Sequence, residues 1–308
     1  MKILVTGGYG FIGSSLIKKI SVDNKIFIID NLDRQKNEFE FCEKIDILDY
    51  DKTKQFVNKI KPDIVIHMAA LCGVDNVIKR PVKTMEVNMI GVYNILRSIA
   101  DLNIKKFINF STSEVYGNYS YKLCEDERTS MGNIGEARWA YSVSKLAGEH
   151  LCFSYQKEYN IPVVSIRPFN VYGPGQIGKG AIQIFIKRCL KNEDLTINGD
   201  GSQIRSWCYI DDAVTFIEKC MLHDEANNHV FNMGNPESII TTLGLAKKII
   251  RLTNSKSKIK FEKNSYQDVE LRIPNIDKAK SILDFEPKIS LDEGILKTME
   301  WEGGKRKK

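Results

Sequence analysis

The stretch Thr6-Gly7-Gly8-Tyr9-Gly10-Phe11-Ile12-Gly13 decides the fold. It follows directly on a short Ile/Val run, Lys2–Thr6, and leads into an amphipathic stretch, Gly13–Ile20. Glycines 7, 10 and 13 recur as G-x-x-G-x-x-G. Between a strand and a helix that spacing meets three needs: a tight turn, close approach of backbone to a pyrophosphate, and close helix–strand packing. The helix N-terminus then faces the anion. Glycines also make ordinary turns, so the position of the motif, at the first strand–helix junction, carries the reading of a dinucleotide site. Its candidate contacts are Gly7, Gly10, Phe11, Ile12 and Gly13.

Outward from this turn, Lys25–Asp30, Asp63–His67, Lys106–Ser111 and Pro162–Arg167 read as buried strands, rich in Ile, Val and Phe and bounded by turn residues. Helical stretches alternate with them: Thr53–Ile60, Val82–Asp101 and Trp139–Tyr159. Such alternation predicts an α/β fold, a Rossmann-type doubly wound parallel sheet with helices on both faces. After Tyr172 the elements shorten and Gly and Pro become denser. The expected division is a dinucleotide-binding domain over residues 1–171 and a smaller C-terminal substrate-binding lobe over 172–308. Part of that lobe (about 206–233, with Asp211–Leu222 and His229–Met233) is expected to return to the first domain.

Asp30 ends the second strand, 17 residues after Gly13. A carboxylate there accepts hydrogen bonds from both hydroxyls of the adenosine ribose and repels a 2′-phosphate, which favours NAD over NADP. Asn31 follows it. His67-Met68-Ala69-Ala70 ends another strand, where the small Ala69 and Ala70 let a cofactor lie close; His67 reads as a packed histidine. Tyr141 and Lys145 lie four residues apart in a helical stretch, about 6 Å of rise and slightly more than one turn, and so share a face. An ammonium near a phenol is expected to lower its pKa and to allow phenolate chemistry near neutral pH. Ser111-Thr112-Ser113-Glu114-Val115-Tyr116-Gly117 sets a hydroxyl cluster directly after a strand, at the sheet end where ligands bind in such folds.

Composition narrows the classes. Charged residues are 27% and hydrophobic ones 43%, ordinary globular values. The net charge of +6 includes four cations in the last four residues, and without them it is +2, so nothing marks a nucleic-acid-binding body. That tail reads as a solvated terminus. Seven scattered cysteines and four histidines form no disulfide or metal pattern, no apolar run has membrane-spanning length, and the chain enters its first strand at residue 2. The expectation is a cytoplasmic protein with reduced thiols, no metal site and no membrane partner.

With these motifs in chain order, the sequence resembles the extended short-chain dehydrogenase/reductases that modify nucleotide sugars. The resemblance runs from the glycine turn to Phe285-Glu286-Pro287. It includes Asp30, Asp46-Ile47, His67-Met68-Ala69-Ala70, Asn88, Ser111–Gly117 and the Tyr141/Lys145 pair. Arg167-Pro168-Phe169-Asn170, Tyr172-Gly173-Pro174, Gly199-Asp200-Gly201-Ser202-Gln203, Arg205 and Tyr209-Ile210-Asp211-Asp212 match the sugar-nucleotide lobe. The resemblance implies a tightly held NAD, contacted also by Asp46 and Ile47, that takes hydride from C4 of the sugar. It implies that Tyr141 removes the C4 hydroxyl proton, that Lys145 tunes Tyr141 and binds ribose, and that Thr112 bonds the same hydroxyl. Relatives usually pair as homodimers through two long helices per subunit, here Val82–Asp101 and Ala140–Tyr159.

Glu114 divides the branches. Simple 4-epimerases often carry a small residue there, whereas 4,6-dehydratases and UDP-glucuronate decarboxylases usually carry glutamate; a carboxylate satisfying helix N-terminal donors is the plain alternative. Arg138-Trp139 before Tyr141, and Tyr266-Gln267-Asp268-Val269-Glu270 leading to Arg272-Ile273-Pro274, resemble the decarboxylases most. By that resemblance Ser113, Arg138, Asn170, Arg205, Tyr266 and Arg272 contact the sugar nucleotide, and Arg272 is a proton donor. Guanidinium groups here suit either a C5 carboxylate or the diphosphate. One departure is Gly178-Lys179-Gly180-Ala181, where the decarboxylases carry an arginine. The leading expectation is UDP-glucuronate decarboxylation; C4 epimerisation or 4,6-dehydration of a nucleotide sugar is the alternative, and a catalytically silent NAD-sensing scaffold a remote one.

Overall fold

The computed structural model describes residues 1–33, 39–176, 178, 180–263 and 269–304. Tyr266, Gln267, Asp268, Lys179 and the Lys305–Lys308 tail lie outside them.

Up to residue 172 the chain alternates strands and helices: β1 (Lys2–Thr6), α1 (Phe11–Ile20), β2 (Lys25–Asp30), β3 (Cys42–Lys44), α2 (Tyr50–Ile60), β4 (Ile64–His67), α3 (Val74–Lys79), α4 (Pro81–Met85), α5 (Gly91–Ile99), β5 (Lys106–Phe110), β6 (Tyr119–Leu123), α6 (Trp139–Tyr159), β7 (Val163–Pro168) and β8 (Val171–Tyr172). The remainder is α7 (Ala181–Cys189), β9 (Leu195–Asn198), β10 (Ile204–Ser206), β11 (Cys208–Tyr209), α8 (Ile210–Leu222), β12 (His229–Met233), β13 (Ile239–Thr241), α9 (Thr242–Thr253), β14 (Ile259–Glu262), β15 (Leu271–Pro274), α10 (Asp277–Leu283) and α11 (Leu291–Gly304).

Seven of these strands form one parallel sheet in the order β12-β7-β5-β4-β1-β2-β3. It is the Rossmann-type doubly wound sheet that the alternation predicts. Its central strands β1, β4, β5 and β7 are buried on both faces, which is why they read as continuous apolar runs. Ile3 and Val5 pack into the core under α1 and α8, and Leu4, between them, into the one under α2 and α5. The strand order reverses between β1 and β4, and the crevice beyond their carboxyl ends is where such sheets take ligands.

The chain passes between the two sheets in both directions. β12 pairs with β7 at the edge of the large sheet, and β6 leaves the first half to pair with β15 in a second sheet of order β13-β10-β15-β6. That excursion carries the segment after Glu114 beside Arg272.

The predicted helix Val82–Asp101 is interrupted. Between α4 and α5 lies one π turn, Glu86–Ile90. The extra residue turns the Asn88 side chain inward, where its Oδ1 accepts from Leu71 N at 2.8 Å and its Nδ2 donates to Leu71 O and to Ser144 Oγ. α1 and α2 begin earlier than predicted, because Gly10 and Asp49 serve as N-caps; the Asp49 carboxylate accepts from Lys52 N. Among the described residues no helix is long and apolar enough to cross a membrane, and all seven cysteines are free thiols.

Candidate active site

A cavity of about 780 Å³ opens at the reversal between β1 and β4. Gly7, Gly10, Phe11, Ile12 and Gly13 line one end of it. Gly7 has φ +72°, and a Cβ on it would sit 2.7 Å from Ala69 N; a Cβ on Gly13 would sit 2.7 Å from Gly7 O. Both positions therefore exclude a side chain. No side chain caps α1 and its first turn carries no acid, an arrangement that welcomes an anion.

Asp30 lines the same end and is buried, its Oδ2 accepting from Tyr9 N at 3.0 Å and its Oδ1 from Leu32 N at 2.9 Å. Each oxygen keeps lone pairs for further donors, as a ribose diol requires. Asn31, Asp46, Ile47, Ala69 and Ala70 line the wall nearby. Thr6 ties this wall together: its Oγ1 accepts from Ala69 N at 3.2 Å and shares a hydrogen bond with His67 Nδ1 at 2.8 Å. Burial, with the Lys145 charge as a smaller cause, holds the His67 imidazole down at about 3, so it stays neutral and structural.

α6 delivers Tyr141 and Lys145 to the middle of the cavity. Ser144, one turn on, donates to Tyr141 O at 2.7 Å and receives Asn88, so the π turn, the Leu71 loop and α6 share one hydrogen-bonded junction. Thr112 Oγ1 accepts from Glu114 N at 3.2 Å, which leaves its proton for Tyr141, to which it hydrogen-bonds. The pKa balance differs from the sequence expectation. Burial pushes the Tyr141 phenol up, with Cys72 and Glu114 adding to it, while the Thr112 hydrogen bond and the Arg272 charge pull it down. Burial also lowers the Lys145 ammonium to about 8. The cation that faces the phenol is thus Arg272, on the second sheet.

Glu114 lies between the two sheets. Its Oε1 faces Arg272 Nη1 at 3.5 Å and its Oε2 accepts from Ser142 Oγ at 3.3 Å. Arg272 is buried and donates also to Gly117 O at 3.3 Å. Ser113, Arg138 and Asn170 line the same space, Asn170 anchored through its Nδ2 to Ser206 O at 2.9 Å. Arg205 is not brought there. It stands beside Arg272 in register, half-buried, with Nη1 donating to Ile204 O. Ser111, Cys72, Arg80 and Gln176 line the cavity without having been singled out as contacts. Ser111 Oγ is buried with no partner among the described residues, an orphaned group that suits a bound ligand. The bare glycines, the open helix end, the ribose-ready carboxylate and this hydroxyl together fit a dinucleotide.

Residues 3–234 match the model of the NAD dependent epimerase/dehydratase family. The chain belongs to this family. Among relatives of the family, UDP-N-acetyl-alpha-D-glucosaminuronate decarboxylase of Bacillus cytotoxicus is 33% identical over 97% of each chain. UDP-glucose 4-epimerase of Thermotoga maritima superposes with a TM-score of 0.93 at 30% identity, over 99% of this chain and all of the other. UDP-glucuronic acid 4-epimerase of Bacillus cereus, solved with UDP-glucuronic acid and NAD, gives a TM-score of 0.88 at 29% identity, over 99% of each chain. Family members with different outcomes at the sugar thus lie at similar distance. The enzyme class is an NAD-dependent short-chain dehydrogenase/reductase of nucleotide-sugar metabolism, and the cofactor is NAD.

Proposed function

We propose that the protein is a UDP-glucuronate decarboxylase working through a 4-keto sugar. The observation that supports this reading is the Glu114–Arg272 pair in the cavity that also holds Tyr141 and Thr112. Inverting C4 needs proton handling at the C4 oxygen alone, so an epimerase has no task for a second acid/base beside a buried guanidinium.

Bound NAD supplies the hydride acceptor that turns the C4 carbinol into a ketone. The chain's own groups do the rest. Tyr141 takes the C4 hydroxyl proton, and Thr112 bonds the same oxygen. Lys145, charged below about 8, would hold the ribose. A ketone at C4 makes the C6 carboxylate a β-keto acid. Breaking C5–C6 releases carbon dioxide and leaves the electron pair as an enolate on the C4 oxygen, where Tyr141 and Thr112 donate. Arg272 stays charged at any working pH and orients the leaving carboxylate. Glu114 relays a solvent proton to C5. Ser113, Asn170 and Arg138 hold the sugar nucleotide, and Tyr266, outside the described residues, is part of the same proposal.

The test is mass spectrometry of products from the NAD-loaded protein with UDP-glucuronate. The expected product is lighter by one carbon dioxide, and Glu114→Gln slows its appearance about 100-fold or more. An unchanged mass with a new retention time would make the protein an epimerase. Loss of water from a nucleotide hexose would make it a dehydratase with Glu114 as the C5 base.

The same proposal includes a homodimer. Ile90, Tyr93, Val143 and Tyr159 are exposed on the π turn, α5 and α6, and Val82 on α4 is 81% exposed. Light scattering should give twice the chain mass of 35.1 kDa; the single-chain mass would refute the pairing.

A further inference from the structure

We infer that Ser142 is the positioning residue of Glu114, an inference that rests on the reading of Glu114 as the acid/base at C5. Serines inside helices ordinarily turn their hydroxyls back to a carbonyl one turn earlier. Two serines of α6 do so: Ser144 Oγ donates to Tyr141 O at 2.7 Å and Ser154 Oγ to His150 O at 2.9 Å. Ser142 instead reaches out of its helix to Glu114 Oε2 at 3.3 Å, from a site with no solvent exposure.

The consequence is geometric. Glu114 follows Thr112 in the turn after β5, and its side chain is 21% exposed to the cavity. Its carboxylate is tied at both oxygens, Oε2 to α6 and Oε1 to Arg272 on β15. Arg272 and Tyr141 are charged or titratable groups that face it, and Arg138 lines the same cavity. The Arg272 contact, at 3.5 Å, is the long one, and a hexuronate carboxylate arriving in the cavity competes for that guanidinium. The Ser142 hydroxyl does not face this competition. It therefore keeps Glu114 fixed relative to Tyr141, its own neighbour in sequence, when substrate is bound. Thr112 and Tyr141 do not depend on it, so Ser142 serves the step at C5 and not the one at C4.

The experiment is rapid mixing of NAD-loaded enzyme with UDP-glucuronate, following reduced nicotinamide absorbance for the first step and carbon dioxide release for the second. In Ser142→Ala, which removes one oxygen and adds no volume, the first step should change by less than about twofold. Carbon dioxide release should slow about tenfold, the effect of losing one hydrogen bond to a charged group. Ser142→Ala combined with Glu114→Gln should be no slower than Glu114→Gln alone, because the two side chains act as one unit. Equal slowing of both steps, or a double variant slower by the product of the single effects, would show that Ser142 acts through the packing of α6 and would overturn the inference. Wild-type carbon dioxide release in Ser142→Ala beside a slow Glu114→Gln would overturn it too, leaving Glu114's role standing. Wild-type release in Glu114→Gln, or none from the wild type, would overturn both.

Discussion

Tyr141→Phe should lower kcat by about 10³-fold or more while NAD and substrate remain bound, since positioned proton transfer is worth about 10²–10⁴ and no other side chain at this point can replace the phenol. The change deletes one oxygen. Phenylalanine keeps the ring against the cavity wall, and what is lost is the contact to Thr112 Oγ1. The pH behaviour follows from the two ionisations with opposite demands. Burial pushes the phenol up, so the base form, and with it the rate, grows as pH rises. Lys145 is pulled down to about 8, so its positive charge, and the stabilisation it gives, is lost as pH rises past that point. The kcat profile of the wild type should therefore climb through neutrality and bend over near the Lys145 ionisation. A Tyr141→Phe enzyme within tenfold of the wild-type kcat would remove Tyr141 from the chemistry, since general-base catalysis of less than about tenfold falls below the usual contribution.

How much of this could be read from residues alone depends on how far apart the partners lie in the chain. The glycine turn, Asp30 and the Tyr141/Lys145 pair are local signals: one junction, one strand end and one helical face, each set by backbone geometry within a few residues. The continuous apolar runs of β1, β4, β5 and β7 announced a buried parallel sheet for the same reason. The Glu114–Arg272 contact spans 158 residues and depends on β6 crossing to the second sheet, which no local periodicity encodes. Asn88 was legible as a motif residue, but its π turn was not, because a single inserted residue barely disturbs a helical pattern. Ser142 lies between Tyr141 and Lys145, and nothing in the sequence signals that its hydroxyl turns away from its own helix. Arg205 reads as a site arginine by motif; the sheet register turns it beside Arg272 and leaves it off the cavity wall.

The largest stability effect should come from Glu149→Ala, two turns beyond Tyr141 on α6. Glu149 and Arg167 side chains are each 5% exposed and bind bidentately, Nε to Oε1 at 2.9 Å and Nη2 to Oε2 at 2.8 Å. The third guanidinium nitrogen donates to Tyr116 OH at 2.7 Å and Glu125 O at 3.0 Å. Tyr116 OH donates in turn to Asn232 Oδ1, and Asn232 N donates to Glu125 Oε1. Burial holds the Tyr116 phenol up at about 12, so it remains a donor throughout. One network thereby joins α6, β7, β12 and the turn after Thr112, under the floor of the active site. Removing the Glu149 carboxylate strands a buried guanidinium, and breaking such a pair costs about 3–5 kcal/mol. That is a large share of the roughly 5–15 kcal/mol that holds a domain folded, so denaturant melts should show the loss directly. The pair itself is a different quantity from its rupture. Glu149→Leu with Arg167→Met removes both charges and fills the space, and should recover most of the stability, because an apolar replacement avoids the desolvation cost that the ion pair carries. If the single variant lost less than about 1 kcal/mol, Arg167 would have to find water or another acceptor, and the network would be a surface-type pair despite its burial. If the double variant is stable yet turns over slowly, the network's contribution lies in fixing Thr112 and Glu114 relative to Tyr141, since both ends of that geometry rest on residues it connects.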